Sequence, residues 1–320
     1  MRRDGRSFRR HGALGCTMLS DFTLCDVHVR ANTPCPELCV WNGKLGSPAV
    51  KIELTDRLCV DSPACAQRAP LGVLTSHGRD GSWYLDIPYL GAIVVPGPDE
   101  IRIAPNNVES IEELKPFLYG SALAILSIHR GWLPIRATVI AQAASAIAIS
   151  GEAGVGKSGA ALHLLSRGFT LVSDGVSVLS GFDEQLRAYA LPTVPRFSVW
   201  RRVLETEGVD AAVLRRVRPC IEKFYIPALR GFAPYARHPI RYWVVLQRTD
   251  GPGEVHRVRS EDEWVPQLSR SIASDIRFLG RLSIDRRWAQ IRHVARSTDA
   301  YIVTARGDRE AADLIAGLPV

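Results

Sequence analysis

Residues 50–54 (Val-Lys-Ile-Glu-Leu) alternate apolar and charged side chains, the pattern of a half-buried strand. An aromatic strand is predicted at 82–86. A hairpin is predicted from 91–95 and 100–104, joined by the Pro96-Gly97-Pro98-Asp99 turn. Over 108–131 the period lengthens to that of a helix. Ile111, Leu114, Leu118, Leu123, Leu126 and Ile128 carry the apolar face, and Pro116 is expected to begin a second helix. Pro134 stops helix, and 136–141 and 145–150 read as two strands joined by a tight turn. A helix is predicted over 157–167, with Ala160, Ala161, Leu164 and Leu165 apolar and Gly168 as its stop. A strand at 169–174 ends in Asp174. Beyond it, 192–200 reads as extended and the Arg-rich 201–218 as helical. A core strand is expected at 242–247, helices at 261–268 and 284–296, a strand at Ile302-Val303, and a closing helix over 308–318.

The eight residues between the 145–150 strand and the 157–167 helix are Gly151, Glu152, Ala153, Gly154, Val155, Gly156, Lys157 and Ser158. They fit G-x-x-x-x-G-K-[ST], and the strand before and helix after are the context that motif requires. Gly151 and Gly156 let successive backbone N–H groups turn toward one anion. Lys157 reaches the outer phosphates as a point charge, and Ser158 offers a hydroxyl to Mg²⁺. The helix N-terminus faces the same phosphates. Asp174, at the end of the next strand, is expected on the ligand side of the sheet, on the metal or on an attacking hydroxyl. The bland alternative for Asp174 is the turn pair Asp174-Gly175.

The chain has 320 residues, enough for one large domain or two ordinary ones. No apolar run reaches the roughly 18–20 residues of a membrane span. The net charge of +7 is largely local: Arg2, Arg3, Arg6, Arg9 and Arg10 face only Asp4 in the first ten residues. No nucleic-acid partner is therefore expected, and residues 1–20 read as a disordered basic tail. Translation starting at Met18 is a second reading of that tail. Residues 12–18 are too short and Gly-rich for a secretory h-region, so a cytoplasmic protein is expected. Of seven cysteines, Cys16, Cys25, Cys35, Cys39, Cys59 and Cys65 lie in the first 65 residues, with Cys220 apart; none forms C-x-x-C, which favours reduced thiols over a zinc site. His28 and His77 are isolated.

A GTPase would need N-K-x-D, which is absent. Leu179-Ser180-Gly181-Phe182 resembles the first half of a transporter signature but lies too close to the loop, and reads as a turn. Order and content instead resemble the HPr kinase/phosphorylase family, in the shorter related branch that includes peptide-serine kinases of lasso-peptide biosynthesis. The resemblance is carried by Gly120-Ser121-Ala122-Leu123, Arg130-Gly131-Trp132-Leu133-Pro134, the hairpin and loop, and 167–174. Leu191-Pro192 through Trp200 continue it. It implies an α/β fold: a P-loop, HPr-kinase-like (PEP-carboxykinase-like) domain over 116–320 and a smaller β-rich domain over 21–115. It implies ATP- and Mg²⁺-dependent phosphoryl transfer to a serine of a peptide or small protein, with a homo-oligomer of unspecified number. By the same resemblance, 151–158 with Lys157 hold the phosphates, Ser158 and Asp174 hold metal, and Asp174 serves the acceptor hydroxyl. Three positions depart from the family pattern: Arg136 stands for His, Gly175 for a second Asp, and Gly159 for the Glu of the founding enzymes. Arg136 is either a replacement cation on the transferring phosphate or the mark of an ATP-binding relative without transfer.

Overall fold

In a computed structural model, the residues described are 19–43, 49–56, 58, 65–68, 74–78, 80–143, 145–181, 187–272 and 284–319. The basic tail over 1–18, with Met18 and Cys16, lies outside them, as do Cys59 and Phe182. The chain divides into two compact units. One holds the residues up to Thr23 with Val27–Arg130; the other holds Leu24–Asp26 with Gly131–Val320.

Among the described residues, the first unit is built on nine strands: β1 (Ser20–Leu24), β2 (Val27–Ala31), β3 (Cys39–Val40), β4 (Val50–Leu54), β5 (Cys65–Arg68), β6 (Leu74–His77), β7 (Trp83–Ile87), β8 (Gly91–Gly97) and β9 (Glu100–Pro105). They form one sheet in the order β3-β1-β2-β4-β9-β8-β7-β6-β5. The alternation at 50–54 does what its period requires: Val50, Ile52 and Leu54 are buried while Lys51 and Glu53 are exposed. Helices α1 (Ser110–Phe117) and α2 (Leu123–His129) follow, joined by a π turn at Leu118–Ala122. Pro116 sits in the last turn of α1 instead of opening a new helix. A proline withholds one i→i−4 hydrogen bond, and the wider turn begins two residues later. The helices pack against β8 and β9, so the division falls after Arg130 and not at the expected 115/116. Lys115 is buried there, 3.2 Å from the equally buried Glu37 carboxylate and 2.7 Å from Glu112.

The second unit is a mixed α/β body. Its strands are β10 (Leu133–Arg136), β11 (Thr138–Gln142), β12 (Ser145–Ser150), β13 (Thr170–Ser173), β14 (Val176–Ser180), β15 (Tyr189–Leu191), β16 (Arg196–Trp200), β17 (Arg216–Arg218), β18 (Ile221–Pro227), β19 (His238–Arg248), β20 (Glu254–Arg257) and β21 (Asp299–Ala305). Its helices are α3 (Lys157–Leu165), α4 (Arg201–Thr206), α5 (Glu261–Arg270), α6 (Ile284–Ser297) and α7 (Asp308–Ala316). The main sheet runs β10-β14-β15-β19-β12-β11-β13, with β21 on β19 and β20 on β21. Its central strands are buried on both faces, as parallel strands between helical layers must be. Tyr242, Val244 and Leu246 of β19 join the core beside α3 and α7; Trp243 and Val245 join the opposite core with Trp264, Leu268, Ile291 and Val294 of α5 and α6.

Of the helix expected over 201–218, the end at Arg216–Arg218 is instead strand β17 of a separate three-stranded sheet, β16-β18-β17. Only α4 is helical α-structure there. Gly208, at φ +65°, ends it, and Arg216 and Arg218 pair with β18. Leu179 and Ser180, expected in a turn, are instead the last residues of β14, where they pair with neighbouring strands; Gly181, at φ +61°, follows the strand end.

Candidate functional site

Strand direction gathers the site. β12 and β19 are parallel, β11 is antiparallel to β12, and β13 is antiparallel to β11. The C-terminal ends of β12 and β13 therefore lie at one edge, together with the start of β11. Thr138 pairs with Ile149, and Val139 with Ser173. The 151–158 loop, Asp174 and Thr138 consequently share one end of the sheet.

The loop needs its glycines for their left-handed backbone and for close approach. Gly151 has φ +138°, and a Cβ on it would meet the Leu246 carbonyl oxygen at 2.4 Å. Gly154 at +82° and Gly156 at +103° are also left-handed, and Gly156 is the N-cap of α3. Val155 is buried in the core and anchors the loop, whereas Glu152, Ala153 and Gly154 are exposed. Arg202 from α4 donates to the Gly154 carbonyl at 2.9 Å.

Asp174 is the hub. Its Oδ1 accepts from Ser158 Oγ at 2.7 Å and from Thr138 Oγ1 at 2.6 Å. Its Oδ2 accepts from the Ser198 amide at 2.8 Å and from Ser198 Oγ at 3.3 Å. Such bonds fix a half-buried carboxylate against the loop serine, which suits a shared divalent cation.

The Lys157 ammonium lies over the loop, donating to the carbonyls of Gly151 at 2.9 Å and Glu152 at 2.7 Å. Burial lowers its pKa to about 8; Asp174 opposes this, while the charges of Lys223 and Arg136 add to it. Arg136 ends β10, exposed, and Gly175 is exposed beside Asp174 at φ +85°. The 151–158 loop and Asp174 thus meet at one end of the sheet, and the charge of Arg136 is among those that lower the Lys157 pKa.

At Gly159 the reason for glycine is packing. A Cβ there would stand 1.8 Å from Asp308 Oδ2, and one on Gly156 would stand 2.2 Å from Asp308 Oδ1. Asp308, at the start of α7, also pairs with Arg248 from the end of β19. A Glu at 159 could not be accommodated without displacing that carboxylate.

Thr138, Ser198, Lys223 and Arg202 went unread in the sequence. Ser198 lay within the predicted extended stretch at 192–200, but only its pairing in β16 aims it at Asp174. Among the described residues, no three His, Cys, Asp or Glu side chains cluster as a metal set, and no helix is long and apolar enough to cross a membrane. Cys25, Cys35, Cys39 and Cys220 are free of disulfides.

Neither a family model nor a curated protein matches the chain. Among solved structures, it is similar to the Hpr(Ser) kinase/phosphatase from Coxiella burnetii at 15% identity, over 58% of this chain and 92% of that one, with a TM-score of 0.29. At that overlap the likeness carries no weight for function.

Proposed function

We propose that this chain is an ATP- and Mg²⁺-dependent kinase that phosphorylates a serine of a peptide or small protein, a ribosomal precursor peptide being one candidate acceptor. The observation that carries the reading is the 2.7 Å contact between Ser158 Oγ and Asp174 Oδ1 at the mouth of a left-handed glycine loop. The residues fit the groups they would take. Loop N–H groups and the α3 N-terminus suit phosphates. Ser158 and Asp174 offer the hard oxygen ligands of a magnesium ion, which would neutralise charge on the phosphates.

The protein's own tasks are then positioning and charge. Lys157 orients the phosphate tail, having left the Gly151 and Glu152 carbonyls. Asp174 accepts the proton of the acceptor hydroxyl, and Thr138 and Ser198 hold its carboxylate in place. Arg136 faces the transferring group as a further cation.

A second reading is an ATP-binding relative that binds the same partner without transfer. Gly175, bare and exposed beside Asp174, favours it, since one carboxylate must then serve both metal and hydroxyl. Incubation of the native protein with γ-³²P-ATP, Mg²⁺ and serine-containing precursor peptides decides between them. Label on the peptide is expected; nucleotide binding with no label at high protein concentration would leave the second reading.

A further inference from the structure

The wall of the site opposite the loop is a two-faced ribbon. Directly paired residues in an antiparallel pair project to the same side, and alternate residues to opposite sides. In β16 and β18, Ser198 pairs with Tyr225 and Trp200 with Lys223. One face carries Phe197, Val199 and Phe224, all buried in the core. The other carries Arg196, Ser198, Trp200, Lys223 and Tyr225. Ser198 identifies where this second face looks, because both its amide and its hydroxyl bond Asp174 Oδ2.

Lys223 is half-buried on that face. Among the described residues its ammonium has no hydrogen-bond or ion-pair partner, and the Trp200 ring lies 5.9 Å away. Three neighbouring cations are engaged elsewhere: Arg201 and Arg216 pair with Glu222, and Arg196 lies 3.6 Å over the Tyr225 ring. Nearby, Asp174 is already occupied by three hydroxyls and an amide. A half-buried ammonium beside a second ammonium is costly unless an anion joins them. Lys223 shares its ribbon face with Ser198, which bonds Asp174, and Asp174 in turn bonds the loop Ser158, so the ammonium stands on the loop side of the ribbon.

We infer that Lys223 binds the outermost phosphate of the nucleotide, completing with Lys157 a two-ammonium clamp on the group to be transferred. Backbone N–H groups of the loop take the inner phosphates, whose contacts do not involve β18. Lys223 therefore discriminates a triphosphate from a diphosphate. This inference rests on the nucleotide-binding part of the proposed function.

The test is isothermal titration of native protein, Lys223→Met and Lys223→Arg with Mg²⁺-ADP and with the Mg²⁺ complex of the β,γ-imido analogue of ATP. Lys223→Met is expected to weaken the analogue by about tenfold to a hundredfold, the range for a lost charge-assisted contact. ADP affinity should change by less than about twofold, and Lys223→Arg should recover most of the loss. Lys223→Gln serves in place of the Met variant if the latter melts early. Equal losses for both nucleotides, or no loss for either, would overturn the Lys223 assignment and leave the kinase reading standing. Native protein that binds neither nucleotide overturns both. Selective loss in a protein that never labels a peptide supports the Lys223 assignment while removing the kinase reading.

Discussion

Ser158 and Asp174 are sixteen residues apart in sequence, yet their side-chain oxygens meet at 2.7 Å. One stands in the first turn of α3 and the other just past β13, and the antiparallel placement of β11 between β12 and β13 brings both to the same edge. Thr138 and Ser198 complete the ring around the carboxylate from two further strands.

Replacing that carboxylate separates chemistry from binding. Asp174→Asn keeps the size of the group but loses its basicity and one of its two acceptor oxygens. On the kinase reading, transfer should fall by about 10²–10⁴, the usual contribution of a positioned general base. ATP affinity, measured by titration without Mg²⁺, should stay within a few-fold. Undiminished transfer would remove Asp174 from the mechanism.

Lys157→Ala should abolish nucleotide-induced thermal stabilisation. A ligand at about 100 times its Kd stabilises by roughly 2.7 kcal/mol, and that increment is what a melting scan with saturating ATP would lose. A melting-temperature increase equal to that of the native protein would show that the loop is not the nucleotide site.

The lowered pKa of Lys157 has a signed consequence. Its folded pKa of about 8 lies below the unfolded value of 10.5, so between the two the unfolded chain binds more protons and stability rises with pH. Phosphates close to the ammonium favour its charged form. Nucleotide binding near pH 8 to 8.5 should therefore take up a proton fraction that fades toward pH 6.5. Calorimetry in buffers of different ionisation enthalpy measures it directly; in Lys157→Ala that uptake should vanish.

Arg136→Ala tests the cation that stands where the resembled family has His. Loss of one contact made in the transition state should lower kcat by about tenfold to a hundredfold with little change in KM for ATP. An unchanged rate would leave Arg136 with no part in transfer.

In the first unit, Lys115→Ala should destabilise by about 3–5 kcal/mol, because the Glu37 carboxylate stays buried without its partner. Replacing both, Lys115→Met with Glu37→Leu, should recover much of the loss in urea unfolding. Equal instability of single and double variants would mean that packing, and not charge, dominates there.

The local elements were legible from the sequence because each rests on a local rule. The 50–54 strand follows from period two, α3 from its apolar spacing and Gly168 stop, and the 151–158 loop from glycines that alone tolerate its left-handed backbone. Even Asp174 could be assigned to the end of its strand. Where helix was expected over 201–218, the pairing of β17 with β18 outweighed the local signal of the arginines; strand pairing is a contact between distant segments, which no single stretch encodes. The same reason hid Ser198 and Lys223, whose meaning depends on which face of a ribbon turns toward Asp174. It also hid the glycine at 159, which is set by Asp308 arriving from a helix nearly 150 residues later. The residues that would hold the phosphates could be read from the chain; which side chains surround them was decided only when strands far apart in sequence came to one end of the sheet.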